Sequence, residues 1–418
     1  MRKKVSNGGD YYGGGGMKYV VIGASAAGLN GLKTLRSNDK NAEIVLIAPD
    51  SIIHSRCILH RFIDGERNES KLNFTEDGLI EKNKVKWLKN KAASVALDNK
   101  TVILDNGDKV NYDKLLIAAG SATNMPPIKN IEKVTNVFGL HDFDDAVAIK
   151  ENAKKAKHIG IIGSGLIGCD AISGVLNSGA KISCFEMADH MLPVNLDKHA
   201  AQAYEKAFAD KGVQQYYNVT VAEFLPGGDG KVSGLKLSDG KTFDCDMVII
   251  TTGLKANTDF LQNSGLQMDK KGLVYDKFGK TSDKNVFAAG DISGKTPVWS
   301  AAVKEGIIAA NNMSGVPSEM TDFFASKCTM NFAGIPSMSL GITTKPDDTF
   351  IEVVSADKKG NYKKIVHKNG EIKGAILQGD LSYAGILTQL IREKIDVSRV
   401  KKPLFNIDYS DFFGEFKF

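Results

Sequence analysis

His158-Ile159-Gly160-Ile161-Ile162-Gly163-Ser164-Gly165-Leu166-Ile167-Gly168 is the stretch that decides the fold. Its short, apolar, β-rich opening reads as a strand buried on both faces of a parallel sheet. In the G-x-G-x-x-G that follows, each glycine has its own role. Gly163 makes the tight turn, Gly165 lets backbone approach a pyrophosphate, and Gly168 lets helix and strand pack closely. Leu166 and Ile167 complete the turn. The helix, expected near Asp170 to Asn177, then points free N–H groups and a positive dipole end at the phosphates. The next strand, Lys181-Ile182-Ser183-Cys184-Phe185, ends on Glu186, 23 residues after Gly163. A carboxylate there hydrogen-bonds ribose hydroxyls and repels a 2′-phosphate, which favours NADH over NADPH.

Working outward, the same grammar stands at the N-terminal end. Lys18-Tyr19-Val20-Val21-Ile22 runs into Gly23-Ala24-Ser25-Ala26-Ala27-Gly28, then a helical stretch through Leu35 and a strand at Ile44-Val45-Leu46-Ile47. Ser25 replaces the middle glycine, and its small side chain still permits phosphate approach. Ala48 occupies the usual carboxylate position, leaving Asp50 as the candidate acid. Standing alone, this motif would also fit a plain structural strand-helix turn. Two such units imply two nucleotide-binding halves with parallel sheets. Further short strands, Leu115-Leu116-Ile117, Met247-Val248-Ile249-Ile250 and Asn285-Val286-Phe287, each run into small residues and glycine. In Val286-Phe287-Ala288-Ala289-Gly290-Asp291, the acid can hydrogen-bond a sugar-like hydroxyl chain; on spacing alone, a helix N-cap is the plainer reading of Asp291.

The 418 residues exceed one ordinary core, so two or three domains are expected. With 42% hydrophobic and 25% charged residues, the composition is that of a globular chain. The 42 glycines are about a tenth of the chain, above the usual share of about 7%. A net charge of +5, from 54 basic and 49 acidic residues, falls short of a nucleic-acid footprint. No apolar run approaches the ~18–20 residues of a membrane span. Residues 1–16, ending in Gly13 to Gly16, read as a flexible leader or tag. With no export signal, the five cysteines are expected reduced and the compartment cytoplasmic. The seven histidines show no H-x-x-x-H and the cysteines no C-x-x-C, so no metal is expected.

Taken in order, G-x-S-x-x-G, Leu116-Ile117-Ala118-Ala119-Gly120, G-x-G-x-x-G, Thr251-Thr252-Gly253 and Ala288-Ala289-Gly290-Asp291 resemble the pyridine nucleotide-disulfide oxidoreductase superfamily. The resemblance runs from Met17 to the C-terminus. It implies an α/β fold of two Rossmann-like dinucleotide-binding domains, glutathione-reductase-like, plus a C-terminal α+β interface domain. The FAD-binding domain would be discontinuous, 17–124 and 254–320, with the NAD(P)H-binding domain at 125–253 and the interface or dimerisation domain at 321–418. By that similarity Asp291 contacts the FAD ribityl chain, Ala119 and Gly120 line the cofactor, and Trp299, Glu305 and Gly306 lie near the flavin ring. Asp170 stands where relatives usually place a Glu near the nicotinamide.

The branch of the family turns on His54-Ser55-Arg56-Cys57-Ile58-Leu59-His60. No two of Cys57, Cys169, Cys184, Cys245 and Cys328 have C-x-x-x-x-C spacing, which rules out a two-cysteine disulfide relay by sequence. Phe62-Ile63-Asp64-Gly65-Glu66 is similar to the stretch following the single redox cysteine of coenzyme A-disulfide reductases and NADH oxidases. Ser55-Arg56-Cys57-Ile58-Leu59 instead fits the Ser-Lys/Arg-Pro-x-Leu frame of rubredoxin reductases and nitrite reductase flavin domains, with Cys for Pro. Arg56 and the flanking histidines are expected to favour a thiolate at Cys57; the plain alternative is an inert buried cysteine. Near the C-terminus Ile407-Asp408-Tyr409 resembles a coenzyme A-disulfide reductase segment, from which Ser410-Asp411-Phe412-Phe413 departs. Cys169, Cys184 and Cys245 read as core; Cys328 has no assignment. The expectation is a FAD-dependent NADH oxidoreductase feeding a small redox protein or a partner subunit, with homodimer formation through the C-terminal domain. A Cys57-dependent disulfide reductase or oxidase, and a non-catalytic flavoprotein sensor, stay open.

Overall fold

The computed structural model describes residues 16–295, 297–321 and 327–412. Residues 1–15 of the expected leader, and Phe413, lie outside the described residues. Five parallel strands form the first sheet in the order Val286–Ala288, Lys114–Ile117, Lys18–Ile22, Glu43–Ile47 and Val85–Leu88. Its inner strands show no alternation: Val20 to Ile22 and Ile44 to Ile47 are buried throughout, because both sheet faces are covered. One face carries the crossing helices Ala26–Asn38 and Trp299–Met313, which share a core with Val21, Leu46 and Leu116. Their crossing depends on Gly306, whose Cβ would stand 2.2 Å from the Ala27 carbonyl oxygen. Gly306 is therefore a packing glycine between the helices.

The second sheet repeats the design, with Gln214–Tyr216, Lys181–Phe185, His158–Ile162, Met247–Ile250 and Val137–Phe138 in parallel. The helix following its central strand spans Leu166–Val175. It opens inside the glycine turn, earlier than the expected start near Asp170, because Gly165 takes the extended cap conformation and frees Leu166 to begin the helix. The Val286–Ala288 strand returns to the first sheet after the second is complete, so the first unit is built from two chain segments. A two-stranded ribbon, Ser121–Thr123 with Leu254–Ala256, ties the two crossings together.

The C-terminal portion is a five-stranded antiparallel sheet, ordered Cys328–Phe332, Ile335–Gly341, Glu371–Gln378, Tyr362–Lys368 and Ile351–Ala356, with the helix Ala384–Arg392. Met330, Phe332, Tyr362 and Ile376 join the core of the second unit. A polar network seals that contact: buried Lys364 reaches Asp197 at 3.0 Å and Glu352 at 2.9 Å, and the Tyr362 hydroxyl donates to Asp197 at 2.7 Å. Asp197 also caps the Lys198–Ala209 helix, accepting from the Ala200 amide. Among the described residues, no helix is long and apolar enough to cross a membrane and no group of His, Cys, Asp and Glu is arranged to hold a metal.

Candidate cofactor and electron-transfer site

The second glycine turn separates the three expected roles. A Cβ on Gly168 would lie 2.3 Å from the Gly163 carbonyl oxygen, and Gly163 itself has φ +99°, so both serve the turn and its packing. A Cβ on Gly165 would meet nothing within 4 Å: the space beside it is open on the side where the helix presents its first N–H groups. Leu166 and Ile167 seat the first helical turn on the core. Glu186 reaches back to this turn, its Oε2 accepting from the Ser164 amide at 2.7 Å and the Ser164 hydroxyl at 2.9 Å, its Oε1 from the Ala188 amide at 2.9 Å. The acid thus stiffens the glycine loop while standing at the strand end. Oε1, which accepts a single bond, keeps a lone pair for a ribose hydroxyl. We predict that Glu186→Ala lowers kcat/KM for NADH by about tenfold or more, the scale of losing charge-assisted hydrogen bonds, and narrows its advantage over NADPH. Parallel steady-state assays with the two nucleotides check this, and an unchanged ratio would refute it.

The first glycine turn is tighter. Gly23 has φ +111° and its Cβ would fall 2.1 Å from the Ala118 carbonyl oxygen; a Cβ on Gly28 would fall 1.9 Å from that of Gly23. Ser25 is the helix N-cap yet makes no side-chain capping bond, and Ala26 and Ala27 are buried beneath it. Across from this turn, Asp291 accepts from the Ser121 hydroxyl at 3.2 Å. It lies inside the short 3₁₀ turn Gly290–Ser293, whose N-cap is Ala289, so the N-cap reading of Asp291 is corrected. Glu305 accepts from the Gly290 amide at 2.7 Å, and the Tyr275 hydroxyl lies 2.8 Å from the same carboxylate oxygen. Glu305 therefore props the Gly290–Asp291 turn. Burial raises the pKa of both Asp291 and Glu305. Ala119 and Gly120 are held from behind by Asn257, whose side chain donates to the Ala119 carbonyl at 2.9 Å and whose amide donates to that of Gly120 at 3.0 Å. Gly120 (φ +68°) and Gly253 (φ +99°) both border open space. Trp299 begins its helix with an edge-on contact to Phe74.

Arg56 is the cation among these groups. Its Nη1 donates to the His141 carbonyl at 3.3 Å and its Nη2 lies 4.0 Å from Asp50, so Asp50 faces the arginine. Buried His54 and His141 flank it. Desolvation and Arg56 push both imidazoles down, His141 to about 3, so neither adds positive charge at neutral pH. His60 sits 2.9 Å from Asp170, an ion-pair distance without hydrogen-bond alignment at Nδ1. Burial raises Asp170 and His60 pulls it back.

These charges correct the expected thiolate. Cys57 is exposed, yet desolvation in its crowded surroundings, with Asp170 and Asp291 adding to it, pushes the thiol up to about 11; Arg56 opposes and loses. At neutral pH Cys57 is a protonated thiol. Cys169, Cys184 and Cys245 are buried, as expected of core residues. A cleft of about 860 Å³, lined by Ile53, Thr75, Trp87 and Lys89 among others, contains none of the expected site residues.

Tyr275, Asn257, His141 and Ser121 are not legible in the sequence. Each acts on a residue far along the chain, and only Asn257, polar beside the Thr251-Thr252-Gly253 turn, offers a local signal.

Residues 17–306 match the pyridine nucleotide-disulphide oxidoreductase family. The chain belongs to it. Residues 328–395 match the rubredoxin NAD+ reductase C-terminal domain. Among curated relatives, the NADH-dependent phenylglyoxylate dehydrogenase subunit epsilon of Aromatoleum evansii is 28% identical over 399 residues, covering 92% of this chain and 93% of that one. The NADH-rubredoxin oxidoreductase of Clostridium acetobutylicum is 25% identical over 399 residues, covering 94% and 97%. The solved NAD-dependent persulfide reductase from A. fulgidus has the same fold, with a TM-score of 0.82 at 24% identity over 91% of this chain and 77% of that one. As a pyridine nucleotide-disulphide oxidoreductase the protein is an oxidoreductase with FAD and NADH as cofactors, and the two glycine turns with their open faces fit two dinucleotides.

Proposed function

We propose that this oxidoreductase takes electrons from NADH and hands them to a protein acceptor, either a small redox protein or a partner redox subunit. The observation that carries the proposal is the match of residues 328–395 to a rubredoxin NAD+ reductase C-terminal domain, and the relatives' names support the same reading. The Cys57 thiol, pushed up by desolvation with Asp170 and Asp291 adding to it, lends no support to thiolate chemistry.

In this proposal the Gly163–Gly168 turn and Glu186 hold NADH, and Asp170 stands on the helix beside it. The Gly23–Gly28 turn, Ala119, Gly120, Gly253, Gly290 and Asp291 hold FAD, and Arg56 balances the nearby carboxylates. FAD, when bound, supplies the conversion of a hydride equivalent into single electrons; the protein supplies alignment and excludes water. Homodimer contact through the C-terminal sheet, the domain limits given above and a cytoplasmic location belong to the same proposal.

The test is NADH-driven reduction of rubredoxin and ferredoxin by Cys57→Ser in stopped flow. Turnover is expected to persist. Loss with every protein acceptor tried would sink the proposal and favour a Cys57-dependent disulfide reductase, which predicts a charge-transfer band on partial reduction that the serine variant lacks.

A further inference from the structure

The strand Ile351–Ala356 forms one edge of the C-terminal sheet. On its inner side it pairs with Tyr362–Lys368 in unbroken register, from Ile351 opposite His367 to Ala356 opposite Tyr362. On its outer side no strand among the described residues pairs with it, so every second residue turns its N–H and C=O outward. Such an edge is usually guarded by a lysine, a proline or a bulge, because it is a template for another strand. This one has none of them. Its one charged side chain, Glu352, is held by Lys364 and by the Lys345 amide, each at 2.9 Å. Ile351 and Val354, on opposite faces, are 55% and 53% exposed, so the edge is open on both faces.

The stretch is also complementary to itself. Asp347-Asp348 precedes the strand and Lys358-Lys359 follows it, and all four are exposed. In an antiparallel pair related by a two-fold axis, one residue stands opposite its own copy. With Val353 in that place, Asp348 stands opposite Lys358 and Asp347 opposite Lys359, at both ends. Centring on Glu352 would instead oppose Asp347 to Asp357, and centring on Val354 would oppose the two aspartates to Asn361 and Gly360. The Val353 register also sets Ile351 of each copy diagonal to Val353 of the other, within reach of side-chain contact.

We propose that two copies of this chain join edge to edge through Ile351–Ala356, antiparallel and centred on Val353, so that their two C-terminal sheets become one. This rests on the homodimer contact proposed above and gives it a place in the fold.

Sedimentation of the flavin-loaded full chain across a dilution series is expected to show a monomer–dimer equilibrium, with amide exchange over 351–356 slowed only where the dimer prevails. Asp348→Lys and Lys358→Asp each set like charges against one another at both ends, and each is expected to weaken association about tenfold or more. Mixed one to one, the two variants regain parental affinity, because each end again opposes a lysine to an aspartate; that recovery also shows both to be folded. A monomer at every concentration leaves the edge to a different protein and overturns the self-pairing together with the homodimer contact. A dimer that neither substitution weakens, or whose 351–356 amides exchange as in the monomer, overturns the edge alone and moves the contact to another surface. Electron transfer to a protein acceptor is untouched by any of these outcomes.

Discussion

Gly165→Ala is expected to fold like the parent and to lose NADH. At Gly165 the backbone is extended (φ −68°, ψ −168°), within reach of alanine, and the added Cβ would meet nothing of the protein. The methyl group would instead project into the open space that we propose the pyrophosphate takes. Thermal unfolding should be unchanged while the Kd for NADH rises at least about tenfold, or about 1.4 kcal/mol. Gly168→Ala is the contrasting case: its Cβ would stand 2.3 Å from the Gly163 carbonyl oxygen and 3.2 Å from the Thr251 hydroxyl, and backbone cannot swing aside. That variant should lose about 1–3 kcal/mol of stability, the range for overpacking, together with NADH binding. Calorimetric binding and denaturation curves on both proteins separate the two roles. If Gly165→Ala bound NADH as tightly as the parent, the open face beside it would not be the nucleotide site.

A second large effect is expected at Asp291. Burial raises its pKa, with Arg56 and the Ser121 hydrogen bond only partly offsetting. Between the unfolded carboxylate value near 4 and the higher folded value, the folded chain holds more protons than the unfolded chain. Stability therefore falls as pH rises through that window, and the penalty is in full force above it. Asp291→Asn removes the penalty: the cofactor-free protein should melt higher at neutral pH, with a flatter dependence above pH ~4. The same change should weaken FAD retention about tenfold or more, because a charged acceptor for a cofactor hydroxyl is lost. Flavin retained through gel filtration at parental occupancy would refute the assigned contact.

The electrostatics also explain why the segment around Cys57 misleads when read linearly. Arg56, His54 and His60 look like three cations beside a thiol. In the fold His54 is desolvated and neutral, His60 faces Asp170, and Asp291 arrives from a 3₁₀ turn far along the chain. The balance at Cys57 is set by what surrounds it in space.

The two phosphate-binding turns are legible because their demands are local. A strand, three small residues at fixed spacing and a helix start lie within a single short stretch, so the conformation of Gly163 or Gly23 is written beside it. Glu186 is legible for the same reason, one strand further on. Tyr275 propping Glu305 and Asn257 behind Ala119 are not, since each pairing depends on which elements the core brings together. Spacing excludes a C-x-x-x-x-C dithiol, a property of the chain read locally. The sequence by itself determined the two dinucleotide turns and their order, because turn geometry is a short-range property of the backbone. The charges that surround Cys57 were decided by the tertiary structure, because desolvation and Coulomb forces depend on distance through the folded molecule.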